Sequence, residues 1–501
     1  MAIKNWWPYL LVLLISGWAA GAEDPAPEDL RFGAVKILGL SFTHPFVIRR
    51  ELLFTQGQPY DPRLLEESRR RIKALFYVKE AEVSTETVGR DVQVTLNVEE
   101  KLSWDLFPYS SVGEGNITLG TRIGDSNFLG RGLGWTAEYT YNTFRKHYGT
   151  LELKDPYFIS ESPIGGKILG GLGEVGYVIG ANLWRSPRWA GEEWTFDLGG
   201  TYQRDTIHVF DQGLVIGQYG AQYLTVPFKV GHAWVDDKTR YGLSVGTRYE
   251  RAKFTLNTGS ITILPSDRER VVFLADAQVF NDALVKDAFY NQLGNMEEVA
   301  VGTRSSIGWE HATTGILSDL TYHTVRVHQG QDYKLANIGY MFLSVGVEGR
   351  VETKDLTNFT TVLQGKVAVR TLPVGFFIGR MMVDALLKNE NKAQLFLGSD
   401  SGLRGYSVNR FSGEKRMLFN MEQRAVLFNS NFVDVGGVIF TDMGHVFKES
   451  ELMDPRLLNT SVGMGVRIGS QKFGIPVARL DVGYGLTDRL FAVSFGTSQY
   501  F

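Results

Sequence analysis

Ser461-Val462-Gly463-Met464-Gly465-Val466-Arg467-Ile468 alternates residue by residue, and this alternation decides the fold. Successive side chains of a strand point to opposite faces, so Val462, Met464, Val466 and Ile468 share one face and Ser461, Gly463, Gly465 and Arg467 the other. The flanking segments repeat the pattern. Asn420, Glu422 and Arg424 oppose Met421, Gln423, Ala425 and Leu427, while Val435, Gly437, Ile439 and Met443 oppose Gly436, Val438, Phe440 and Asp442. Ala478, Leu480, Val482 and Tyr484 oppose Arg479, Asp481 and Gly483, and Phe491, Val493, Phe495 and Phe501 oppose Ala492, Ser494, Gly496 and Ser498. Short stretches of this kind recur from Trp104 onward, broken by clusters of Gly, Asn, Asp, Ser and Pro. About 400 residues carrying this texture to the last position, behind an export signal, predict a closed antiparallel transmembrane β-barrel. Apolar side chains face lipid and polar or small ones a wet lumen. At about 25 residues per strand and connection, the length predicts about 14–18 strands.

The N-terminal part is built differently. Lys4, the apolar run Trp6 to Ile15 and the small residues Ala20-Gly21-Ala22 read as a secretory signal peptide over 1–22, shorter than the roughly 20 apolar residues of a spanning helix. A Pro-rich acidic lead occupies 23–30. The spacing then predicts a compact β-α-α-β-β unit over 31–100. Val35 to Leu38 reads as a strand and Pro45 to Phe54 as a helix. Asp61-Pro62 gives a cap and first-turn proline to a second helix whose inner face carries Leu64, Ser68, Ile72 and Leu75. Phe76 to Ser84 and Asp91 to Val98 read as a strand pair, the first of them a candidate open edge.

Composition removes several classes of function. The 52 basic and 55 acidic residues balance to −3, which gives no footprint for nucleic acid. With no cysteine there is no disulfide, thiolate nucleophile or Cys-type zinc site. Gly171-Leu-Gly173-Glu-Val-Gly176 spells a dinucleotide fingerprint without the βαβ unit it needs, and Gly242-Leu-Ser244-Val-Gly246 spells a nucleophile elbow inside a strand pattern. The eight histidines are scattered, with His323 and His328 on opposite faces of one strand. No metal site, cofactor or catalytic group is read, and the chain is not expected to be an enzyme.

Two segments carry the candidate site: Gly402-Leu403-Arg404-Gly405-Tyr406, and Phe440-Thr441-Asp442-Met443-Gly444. A charge facing lipid costs roughly 2–4 kcal/mol at mid-bilayer, so Asp442 in an apolar strand and Arg404 on a loop are expected to meet inside the barrel. Glu422 shares the inward parity. Gly402 and Gly405 suit a tight loop with close backbone approach.

With these segments the chain resembles the BamA/TamA superfamily of outer-membrane assembly and translocation barrels, the bacterial surface antigen family. Residues 31–100 look like one POTRA (polypeptide-transport-associated) domain. Gly124-Asp125-Ser-Asn127-Phe128-Leu-Gly130-Arg-Gly132 and Asp155-Pro156-Tyr157 look like the family's opening barrel strands, and Phe495-Gly496 through Phe501 like a C-terminal assembly signal. The resemblance implies sixteen strands over 101–501 and a sixth extracellular loop folded back into the lumen. Arg404 would be held there by Glu422 and Asp442 on strands twelve and thirteen, beside Phe440 and Gly444. It further implies an outer-membrane location with the POTRA in the periplasm, insertion of β-barrel proteins as the function, and export of a dedicated polypeptide as the alternative. Unfolded client polypeptides, the lipid bilayer and a periplasmic chaperone or accessory protein would be the partners. The single POTRA departs from family members that carry several.

Overall fold

The computed structural model describes residues 30–501 apart from 114–115, 160–161, 188–192, 212–213, 237, 260–263, 289–290, 292, 294–295, 354, 373–374, 431 and 471–474. The expected signal peptide, and the acidic lead up to residue 29, lie outside the described residues.

The N-terminal unit is a three-stranded sheet with two helices. Its central strand, Asp91–Glu100, runs parallel to Arg31–Leu38 and antiparallel to Val78–Val88. The strand expected over Phe76 to Ser84 is therefore Val78–Val88, and it forms an edge of the sheet. Asp61 caps the helix Pro62–Lys73 by accepting from Arg63 N at 2.8 Å, with Leu65, Ser68 and Ile72 as its buried face. Phe32, Ile48, Ile72 and Leu96 are fully enclosed in the core. The first helix is shorter than expected, a single turn at Pro45–Arg49 rather than a run to Phe54. Competing partners end it: Glu51 turns to Arg71 at 2.7 Å, and Leu53 N donates to Ser68 Oγ at 2.9 Å.

From Trp104 the chain forms a closed antiparallel barrel of twenty strands, which corrects the expected sixteen. The miscount came from the connections. Hairpins such as Asn142–Lys146, Gly173–Gly176 and Leu335–Gly339 spend only two or three residues between strands, so the same length holds more of them. The alternation itself is realised. Leu427, Ile439, Met464 and Phe491 are 63–71% exposed on the outside, while Glu422, Asp442, Arg467 and Asp481 are buried inside.

The barrel closes unevenly. The first strand (Trp104–Gly113) pairs with the second (Asn116–Phe128) over ten residue pairs, and the nineteenth (Ile475–Gly485) with the last (Leu490–Thr497) over eight. Among the described residues the last and first strands meet over three pairs: Val493–Val112, Ser494–Ser111 and Phe495–Ser110. Beyond Thr497 the chain leaves the wall at Ser498, whose φ is 68°, and Tyr500 and Phe501 enter the lumen. Phe501 was expected on the lipid-facing side with Phe495; the left-handed turn at Ser498 breaks that parity.

The two domains are docked. His44 N donates to Gly130 O at 2.9 Å, Asn127 Nδ2 to Thr43 Oγ1 at 2.8 Å, and Tyr157 Oη to Arg50 O at 2.9 Å. The Arg50 guanidinium lies 4.3 Å from the Tyr157 ring centre. The segments Asp125 to Gly132 and Asp155 to Tyr157 thus turn the first strands back against the N-terminal unit.

Candidate functional site: a lumenal arginine clamp

Residues 388–414 connect the fifteenth strand (Gly375–Leu387) to the sixteenth (Lys415–Asn429) at the end of the barrel away from the N-terminal domain. This is the eighth such connection, not the sixth, and Glu422 and Asp442 stand on strands sixteen and seventeen (Asp434–Phe447) rather than twelve and thirteen. The strand count shifts the ordinals and leaves the pairing of the two strands untouched, Asn420 facing Asp442 and Glu422 facing Phe440.

The loop enters the lumen. A short hairpin, Leu395–Leu397 with Phe411–Gly413, starts the descent, and Leu403 and Tyr406 bury with Leu397, Leu418 and Val446. Gly405 (φ 87°) lies directly on the nineteenth strand: a Cβ there would sit 2.9 Å from Gly485 N, and one at Gly483 would sit 2.6 Å from Gly405 N. Only a residue without a side chain lets two backbones approach this closely. Gly402 (φ 115°) offers its carbonyl to Asn420 Nδ2 at 2.7 Å.

Arg404 is 1% exposed. It donates from Nε and Nη2 to the two oxygens of Asp442, each at 2.8 Å, and from Nη1 to Glu422 Oε1 at 2.5 Å. Its own backbone N–H also reaches Asp442 Oδ2 at 3.2 Å. The planar fork matches a carboxylate in a way that an ammonium cannot. The guanidinium lies 3.5 Å from the Phe440 ring centre and 4.2 Å from that of Tyr500. Gly444 stands behind the loop, where a Cβ would meet Leu397 at 2.8 Å.

The sequence reading did not assign the outer members of this cluster. Asp481 lies 3.8 Å from Arg404 and accepts from Arg467 at 2.7 Å and Arg479 at 3.0 Å; Arg424 donates to Glu422 at 2.6 Å. Tyr500 Oη donates to Ser399 O at 2.9 Å and accepts from Gly402 N at 3.2 Å, tying the tail to the loop. Arg424 Nη2 reaches Phe501 O at 3.2 Å. Phe495 and Gly496 stay on the last strand against Leu480 and Arg479. Parity placed Asp481 and Arg479 inside, but nothing in one strand's pattern shows that they reach the level of Arg404.

Elsewhere, Gly171 to Gly176 falls on a β-hairpin and Gly242 to Gly246 inside the strand Thr239–Gly259. Among the described residues no group of three or more His, Asp or Glu is arranged to hold a metal.

Comparison with known proteins identifies the N-terminal unit. Residues 30–101 match the POTRA family, described as a surface antigen variable number repeat. No curated protein matches the chain. Among solved structures it is similar to BamA from Haemophilus ducreyi lacking POTRA domains 1–3, with 13% identity, TM-score 0.44 and coverage of 95% of this chain and 86% of that one. It is also similar to CdiB from Escherichia coli (11%, TM-score 0.48, 94% and 77%) and from Acinetobacter baumannii (10%, 0.47, 94% and 74%). A closed barrel with an apolar exterior, preceded by a POTRA domain, is an outer-membrane protein with that domain in the periplasm.

Proposed function

We propose that this chain is a single-POTRA member of the BamA/TamA superfamily and that it inserts β-barrel proteins into the outer membrane. The observation that carries the reading is the seam. The first strand is ten residues long, and among the described residues three of them pair with the last strand. Unpaired backbone in hydrocarbon costs several kcal/mol per group, so an incoming strand that pairs with Trp104–Tyr109 is held without nucleotide hydrolysis. Pro108 supports the assignment, since proline belongs on strands with an open edge. The clamp would keep the loop and tail in the lumen while the seam opens, and the POTRA edge Val78–Val88 would receive clients by strand addition. No covalent chemistry is needed.

The chain has no cysteine, which makes the test clean. Ser110 and Phe495 are directly opposed. Cysteines at both positions would stand about 4.5–5.5 Å apart at Cα, within disulfide range. In liposomes, the oxidised double variant should stop inserting an unfolded barrel protein, and reduction should restore it. Insertion that continues through the locked seam would overturn the proposal. Export of a polypeptide through the lumen with the seam locked would favour the translocator reading instead.

A further inference from the structure

Two aromatic side chains of the POTRA domain have no place in its core. In Phe42-Thr43-His44-Pro45-Phe46-Val47-Ile48 the core takes Val47 and Ile48, both fully enclosed, and Thr43 turns to Asn127 of the barrel. Phe42 and Phe46 are left 57% and 50% exposed. The backbone that carries them is pinned. Glu100 accepts from the N–H groups of Ser41, Phe42 and Thr43 at 2.6, 3.0 and 2.8 Å, and His44 N donates to Gly130 O at 2.9 Å. The two rings are thus held out at a fixed place beside the barrel.

That place is the POTRA-end rim of the lipid-facing wall. Ile117, Leu119 and Ile123 face outward on the second strand, and the register slip between Asp125 and Phe128 brings Phe128 onto the same face, opposite Leu133 of the third strand (Leu133–Asn142). Leu129 follows, 63% exposed, and then Gly130, where a Cβ would lie 2.2 Å from Phe42 O. On the other side, the Arg50 guanidinium lies 5.9 Å from the Phe46 ring centre and 4.3 Å from that of Tyr157. The next residue, Phe158, is exposed on the exterior wall against Gly166, in a groove shared with Leu183 and Leu198. Trp194 of the seventh strand (Glu193–Asp211) and the stacked pair Trp234–Tyr241 stand at the same end of the barrel. An aromatic girdle of this kind marks the membrane interface. Phe42 and Phe46 continue it onto the POTRA domain.

We propose that Phe42 and Phe46 insert into the periplasmic leaflet of the outer membrane, so that the POTRA domain is held to the lipid as well as to the barrel. Continuity with the wall selects lipid as the occupant, because the patch begins where side chains already face hydrocarbon. A polypeptide strand would instead pair with the backbone of Val78–Val88, a different edge of the domain. The absence of cysteine allows single nitroxide labels on the full-length protein in phosphatidylcholine nanodiscs. A label on His44→Cys leaves both rings in place. Its collision ratio for oxygen over a water-soluble nickel chelate should exceed that of a label on Val88→Cys roughly ten-fold, as expected of groups about 5–10 Å into the headgroup–acyl boundary. Val88 is also 57% exposed, on the hairpin away from the barrel. Adding Phe42→Ser and Phe46→Ser should return the reading at position 44 to that of Val88. Labels on Phe42→Cys and on Phe46→Cys, one at a time, should give the same lipid-like ratio, so the result does not depend on the double variant. A water-like ratio at all three positions would overturn the proposal, as would a lipid-like ratio at position 44 that survives loss of both rings. Shielding that sets in only when an unfolded polypeptide is added would overturn it too, by giving the surface to a client.

Discussion

At the scale of single residues, the clamp is a case in which the environment amplifies one side chain. Arg404 donates to two buried carboxylates, and its removal leaves Asp442 without its bidentate partner and Glu422 with Arg424 alone. Breaking a buried pair from one side costs about 3–5 kcal/mol. Arg404→Ala is accordingly expected to lower the thermal unfolding midpoint of the folded barrel and to expose the 388–414 loop to protease. Arg404→Lys should rescue little, because an ammonium cannot span both oxygens of Asp442 and Glu422 together. Lysine behaving as the native residue in both assays would show that charge alone holds the loop. The central three residues were legible in the sequence because parity and the cost of charge in lipid both drive them inward. Asp481, Arg467 and Tyr500 were not, because the residues that share a level inside a barrel depend on strand tilt and register, which no single strand encodes.

At the scale of elements, local pattern set the strands and competition for partners set their limits. The first POTRA helix stops at Arg49, and Ser68, far along the chain, takes the Leu53 N–H that a longer helix would use while Arg71 draws the Glu51 side chain to itself. A similar exchange closes the domain's other end. Burial pushes the Glu100 carboxyl up, but hydrogen bonds from Ser41, Phe42 and Thr43 outweigh it and hold it at about 2. The folded value is depressed below the unfolded one, so the stabilisation is full above about pH 4.3 and is lost as pH falls toward the folded value. Protection of the Ser41–Thr43 amides, taken relative to their intrinsic exchange rates, should fall through that window. Glu100→Gln should lower that protection already at neutral pH and flatten its acid dependence; an unchanged profile would show that these bonds do not hold the segment. Residues 41–44 also carry the contacts to Asn127 and Gly130, so loosening them loosens the joint to the barrel. The segment around Gly130 was recognisable in sequence by its resemblance to the family's first barrel strands, but its service as a docking turn requires the partner surface to be seen.

At the scale of the molecule, the extra four strands change what the loop must do. A wider barrel has a wider lumen, and the loop and tail fill only part of it: cavities of 580 Å³, beside Lys229, Asp276 and Arg326, and 760 Å³, beside Arg304, Lys366 and Arg380, remain within the wall. The loop is nevertheless braced across the barrel. Gln394 Nε2 and Ser412 Oγ both donate to Phe210 O, at 2.9 and 3.2 Å, on the seventh strand, and Arg410 pairs with Asp488 at 2.7 Å beyond the nineteenth. A loop anchored at two distant points of the wall and clamped at its tip acts as a strut as well as a plug. Removing residues 390–413 in favour of a short Gly-Ser link should therefore raise single-channel conductance in planar bilayers, with current fluctuations larger than those of a rigid pore because the strut is gone too. Arg404→Ala alone should give brief openings to the same level, since it frees the tip and leaves the Phe210 and Asp488 anchors in place. Locking Ser110 to Phe495 should leave both conductances unchanged, because the seam lies in the wall and the plug in the lumen. If the seam lock alone altered the current, lumen and seam would be one conduit, and the separation of plug from insertion site would have to be abandoned.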